Sequence, residues 1–165
     1  MKKLGVLLFS LVLCYETFAQ DDNIKLYTPG ENAEQKIAEA ISKARKEGKY
    51  VLIMVGGNWC DWCSTFHNFV AKDPKIDSII RSAYVVYQLN VSKEDFNAKL
   101  LAKYGYPQRF GCPVFLVLDG VGNRIHTQDS SYLEDGKHSY DRDKVISFLS
   151  GWSPAALDPK QYNEQ

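Results

Sequence analysis

Tyr50-Val51-Leu52-Ile53-Met54-Val55-Gly56-Gly57-Asn58-Trp59-Cys60-Asp61-Trp62-Cys63 decides how the rest of the chain is read. Tyr50 to Val55 is a short apolar run rich in β-branched residues, which argues a buried strand rather than an amphipathic helix. Gly56, Gly57 and Asn58 break it. Beyond Cys63, the apolar residues Phe66, Phe69 and Val70 fall at helical spacing, so a helix starts at the cysteine pair with Cys60 at its N-terminus. Unpaired backbone amides and the helix dipole favour a thiolate there, which makes Cys60 the attacking sulfur and Cys63, one turn in, the more sheltered resolving partner. Two cysteines with two residues between them close a small disulfide ring or clasp a metal. A structural zinc knuckle needs a second Cys or His pair, and none stands at ligand spacing.

The strand, the Trp59-Cys60-Asp61-Trp62-Cys63 turn, the helix after it and a later Gly111-Cys112-Pro113 leading into a strand resemble the thioredoxin family. More narrowly, Gly57-Asn58-Trp59-Cys60, Tyr104-Gly105-Tyr106-Pro107 and Trp152-Ser153-Pro154 resemble exported bacterial thioredoxin-like proteins. The resemblance runs from the first helix to Pro154. It implies an α/β thioredoxin fold, a central mixed β-sheet flanked by helices, and thiol–disulfide exchange through Cys60 and Cys63. In that exchange the Cys60 thiolate attacks a substrate disulfide, a mixed disulfide forms, and Cys63 displaces the reduced product. The implied partners are disulfide-containing protein or peptide substrates and a redox partner that recycles the disulfide; no cofactor is expected. Pro113 matches the proline that the family holds in cis facing the CxxC pair, where it exposes the preceding backbone, that of Cys112, to a substrate strand. Trp59 matches the family's tryptophan and is expected to offer a flat apolar docking face, whereas for Trp62 packing and docking weigh equally. The second reading is a non-catalytic binding module with a structural disulfide or a Cys60/Cys63/Cys112 metal clasp.

Two departures from the family stand out. Thioredoxins keep a buried acid in the central strand and a lysine in the next, which help move the proton off the resolving cysteine; here those positions read Met54 and Gln88. Deprotonating Cys63 must then rely on water or another group. Asp61 between the sulfurs disfavours the Cys60 thiolate while suiting a helix start, a balance that points to a reductant. His67, one turn beyond Cys63, is read as a surface or packing residue rather than a base or metal ligand. His126 and His138 are expected to be solvated.

The 165 residues suit one domain, and 45% hydrophobic with 13% aromatic residues suffice for a core without disulfide stapling. Twenty basic and twenty acidic residues cancel, which argues against a nucleic-acid footprint or a membrane-surface helix. Lys2 and Lys3, the apolar Leu4 to Leu13, and Thr17-Phe18-Ala19 form a signal peptide over 1–19 with cleavage before Gln20. Cys14 follows Leu13 rather than a small residue, which disfavours a lipoprotein anchor. The destination expected is the bacterial periplasm, an oxidising compartment. An N-terminal extension then covers 20–31, the thioredoxin-like domain 32–154 and a tail 155–165.

In the extension, Asp21 to Tyr27 holds at most a short edge strand. Asn32 with Gln35 caps a first helix whose buried face is Ile37, Ala40, Ile41 and Ala44, ending near Gly48. Asp73-Pro74 interrupts the cysteine helix, and Ile76, Ile79 and Ile80 mark a second short one. Tyr84 to Val91 is a strand, and Lys93 to Tyr104 an amphipathic helix with Phe96, Leu100 and Leu101 inward. That alternation implies a right-handed crossover in a mainly parallel sheet. Val114 to Leu118 and Arg124 to Thr127 form a hairpin across Asp119-Gly120-Val121-Gly122-Asn123. Asp129 to Asp143 reads as a polar loop, and Lys144 to Trp152, capped by Asp141 or Asp143, as the closing helix.

Overall fold

The computed structural model describes residues 25–163; the signal-peptide reading over 1–19 lies outside them. Four strands, β1 (Tyr50–Gly56), β2 (Tyr84–Asn90), β3 (Val114–Leu118) and β4 (Arg124–Asp129), pair in the order β2-β1-β3-β4. β1 runs parallel to β2 and antiparallel to β3, and β3 runs antiparallel to β4. The sheet is therefore mixed, with a single parallel pairing rather than a mainly parallel set.

Five helices cover it: α1 (Ala33–Glu47), α2 (Asp61–Lys72), α3 (Pro74–Ala83), α4 (Ala98–Lys103) and α5 (Arg142–Gly151). The continuous apolar run of β1 follows from having both faces covered. Side chains alternate across a strand, so Val51, Ile53 and Val55 join Ile37 and Ala44 of α1 and Leu100 and Leu101 of α4 in one core layer. Leu52 and Met54 meet Phe66, Ile76, Phe148 and Leu149 in the other. The expected helix signals hold. Asn32 Oδ1 accepts from the Gln35 N–H at 3.0 Å, Gly48 closes α1 in a left-handed conformation at φ 65°, and Asp141 caps α5. Asp73 ends α2 and caps α3. Its carboxylate also meets Arg142 of α5 at 2.6 Å, and this hydrogen bond holds Asp73 below the usual carboxylate range.

Two expectations need correction. The helix read over Lys93–Tyr104 begins only at Ala98, and Phe96 is half exposed instead of inward. Side-chain hydrogen bonds capture the backbone before it: Ser92 Oγ accepts from Asp95 N–H, Asn90 Nδ2 donates to the Asp95 carbonyl, and Asn97 Nδ2 donates to the Asn90 carbonyl. Such local bonds compete with a helix, and Asn97 adopts φ 53°, which asparagine tolerates. The stretch Asp129–Asp143 is no simple polar loop, because it contains a 3-10 turn (Ser130–Leu133) and an isolated bridge between Glu134 and Tyr140. Leu133 and Tyr140 are core residues. Of the stretch read as at most a short edge strand, residues 21–24 lie outside the described residues and 25–27 carry no strand; the Asn58 side chain ties the Tyr27 backbone to the cysteine loop.

Candidate active site around Cys60 and Cys63

The cysteine pair sits where β1 ends and α2 begins. Cys60 is the N-cap of α2, and its Sγ accepts from the Cys63 backbone N–H at 3.2 Å. Asp61 is the first helical residue. Cys60 and Cys63 are disulfide-bonded with Cα atoms 5.3 Å apart, both are buried, and Cys63 is the more enclosed. A thiolate at Cys60 would therefore meet an N–H already aimed at it and the positive end of α2. Facing the pair is the Cys112–Pro113 peptide bond, which is cis. Cys112 is half buried and packs against the cluster of Tyr27, Cys60 and Cys63.

These features lie where strand, CxxC turn, helix and proline loop converge. A family profile described as thioredoxin-like matches residues 32–120, more than half of the 165-residue chain. The chain belongs to the thioredoxin-like family. Its fold is similar to that of a disulphide isomerase from Xylella fastidiosa Temecula1, with a TM-score of 0.66 at 21% identity over 76% of this chain and 95% of that one. It is also similar to a thioredoxin from Thermus thermophilus, with a TM-score of 0.53 at 19% identity over 78% and 94% of the two chains. The oxidised C-terminal domain of DsbD from Neisseria meningitidis gives 0.52 at 19% identity over 76% and 99%. At these identities the likeness establishes the fold. No curated protein matches the sequence. The thioredoxin-like fold together with the Cys60–Cys63 disulfide makes this a thiol–disulfide oxidoreductase at the level of class.

Around the disulfide of this thioredoxin-like domain, Trp59 is 61% exposed, yet its indole Nε1 donates to the Val91 carbonyl at 2.8 Å. The ring is thus held in place while its face stays open to solvent. A Cβ on Gly57 would run into that indole, which explains glycine there. Trp59, Val91, Phe96, Gln108, Gly111 and Cys112 line a groove of about 820 Å³. Phe96, misplaced by the helical reading, is thereby a groove residue. Trp62 does not line this groove; it is half buried with its ring edge-on to Tyr140 at 5.4 Å, and the Tyr140 hydroxyl donates to the Trp62 carbonyl at 3.2 Å. Burial pushes the Cys112 thiol up from its ordinary value, which lowers its reactivity at neutral pH.

Met54 and Gln88 are register partners on β1 and β2. They line a second cavity of about 360 Å³ together with His67 of α2, and Gln88 Oε1 is buried there with no partner among the described residues. Among the described residues no group of three His, Cys, Asp or Glu side chains is arranged to hold a metal ion. His126, expected in solvent, instead stacks on Trp152 at 4.1 Å and bonds Gln128 at 3.1 Å, and burial lowers its pKa. His138 takes φ 65° in the exposed loop. Sequence reasoning missed Tyr27 and the contact that seats it. Asn58 Oδ1 accepts from the Tyr27 N–H at 3.0 Å, and Asn58 Nδ2 donates to the Tyr27 carbonyl at 2.9 Å. The only signal was the place of Asn58 inside Gly57-Asn58-Trp59-Cys60.

Proposed function

We propose that this protein is a periplasmic reductant of disulfides in extended protein or peptide segments, with Cys60 as nucleophile and Cys63 as resolving cysteine. The observation that carries it is the buried Cys60–Cys63 disulfide at the α2 N-cap, facing a cis-proline loop and bordered by an apolar groove. In the reduced protein the Cys60 thiolate attacks one sulfur of the substrate disulfide; a Cys60–substrate bond forms as the substrate S–S bond breaks and the leaving sulfur takes up a proton. Cys63 then attacks Cys60, the internal disulfide closes, and the second substrate thiol is released. Two electrons have moved to the substrate, and a redox partner must return them.

The groove supports an extended substrate. Its occupant lies along the backbone before Pro113, where main-chain groups pair with a strand while Trp59 and Phe96 take up apolar side chains. Asp61 beside the nucleophile favours the reducing direction by making the Cys60 thiolate less stable. Export is supported by the charged start, the apolar stretch and Ala19. Protein reduced with dithiothreitol should cycle with a disulfide-bonded protein substrate, and a Cys60/Cys63 reduction potential in the range of reductants, near −270 mV, is expected. A potential near −120 mV, in the range of strong oxidants, would reverse the assigned direction. Mass spectrometry of exported protein should find a mature chain beginning at Gln20; a lipid-modified start at Cys14 would place the domain on a membrane anchor instead.

A further inference from the structure

An orphaned hydroxyl sits against the resolving sulfur. Tyr27 is 2% exposed, shares one packed cluster with Cys60 and Cys63, and its phenol oxygen is buried with no hydrogen-bond partner among the described residues. A Cβ placed on Gly56 would fall 2.5 Å from that oxygen and 2.5 Å from Cys63 Sγ, so oxygen and sulfur lie within twice that distance of each other. Glycine at the end of β1 leaves the space between them open. A buried hydroxyl without a partner is destabilising. Sulfur in a disulfide is a weak acceptor, whereas a thiolate is charged and accepts strongly. The orphan in the oxidised protein therefore has an acceptor waiting in the reduced one.

We propose that Tyr27 is a catalytic residue of this site: once the disulfide opens, its hydroxyl donates a hydrogen bond to the Cys63 sulfur and stabilises the thiolate that resolves the mixed disulfide. The proposal rests on the exchange reading given above. Both arms of the Asn58 amide clamp the Tyr27 backbone, so the residue two before the nucleophile also seats the phenol. Burial raises the Tyr27 pKa, which keeps the group protonated as a donor and unfit as a base. The proton of Cys63 therefore goes to water, since Met54 and Gln88 offer no acid–lysine pair. The thiolate then attacks Cys60 Sγ, the Cys60–Cys63 bond forms, the Cys60–substrate bond breaks, and the substrate sulfur leaves with the electron pair and is protonated by solvent. Among the described residues, the titratable groups near this pair are Cys60, the exposed Asp61 at the start of α2, Cys112, whose thiol is pushed up by burial, and Tyr140, whose hydroxyl donates to the Trp62 carbonyl.

Reduced protein mixed with one equivalent of dithiobis-nitrobenzoate separates the two steps, because Cys60 attack releases a first coloured thiolate and Cys63 attack a second. In Tyr27→Phe the effect should fall on the second phase, whose pH midpoint rises by about one unit. At neutral pH that phase should slow about threefold, a tenfold loss of thiolate being partly offset by the greater nucleophilicity of a more basic sulfur. Above the shifted midpoint the variant should match or exceed the wild type, a crossing that loosened packing does not produce. In the wild type, carbon NMR of the ring carbon bearing the Tyr27 hydroxyl should shift on reduction, a measurement that stands even if the variant does not fold. A second phase with the wild-type pH profile, or a Tyr27 signal unchanged on reduction, would overturn the role of Tyr27. Wild-type protein that never releases the second thiolate would overturn the exchange reading, and the proposal with it.

Discussion

Cys60→Ser is expected to reduce disulfide reductase activity to the uncatalysed background, while Cys63→Ser keeps one round of attack and accumulates mixed disulfides with substrate. The two variants differ because the sulfurs occupy different positions on one helix. Cys60 is the N-cap, accepting from the Cys63 N–H, whereas Cys63 is one turn inside and fully enclosed. The helix terminus stabilises a thiolate at the first position, while the second is enclosed and lacks that field, so Cys60 should titrate below the free-thiol value of about 8.5 and alkylate before Cys63. Non-reducing electrophoresis of Cys63→Ser incubated with an oxidised protein substrate reads the trapped species directly. Equal residual activity in the two variants, or faster labelling of Cys63, would reverse the roles or favour a binding module with a structural disulfide.

Phe66→Ala should be the most damaging single change in the framework, lowering stability by about 3–5 kcal/mol, the range for deleting a buried phenylalanine. Phe66 is 1% exposed, lies 4.6 Å from the Phe115 ring of β3 and meets Tyr140 edge-on at 5.0 Å. It therefore holds α2, the helix that carries the cysteines, against the sheet. Its loss empties a space that Phe115 and Tyr140 cannot both fill without leaving their own packing. Denaturant unfolding of the oxidised protein is the measurement. A loss below about 1 kcal/mol would mean that the layer repacks and that α2 is anchored by other contacts.

Part of the candidate site was legible because its signals are local. An apolar run, a glycine break and a helical spacing lie within twenty-one residues from Tyr50 to Val70, and together they place Cys60 at a helix start without any knowledge of distant contacts. The same holds for the Asp73-Pro74 break, the Asp119–Asn123 turn and the Asn32 and Asp141 caps. Phe96 was misread because its spacing to Leu100 fits a helix, while the polar side chains of Asn90, Ser92 and Asn97 had a competing claim on the backbone. Periodicity counts apolar positions and is blind to that competition.

Local patterns in the sequence determined most of the strand and helix framework and the position of the CxxC pair on it, since each depends on neighbours a few residues away, whereas the proline loop opposite was implied only by the family resemblance. Only the tertiary structure decided which surfaces meet at the sulfurs. Tyr27 reaches Cys63 through a clamp spanning 31 residues, and Tyr140 reaches Trp62 across 78. His126 becomes half buried because α5 brings Trp152 over β4. Contacts at such separations depend on strand order and on how the helices settle onto the two faces of the sheet, and no local pattern of side chains encodes that choice.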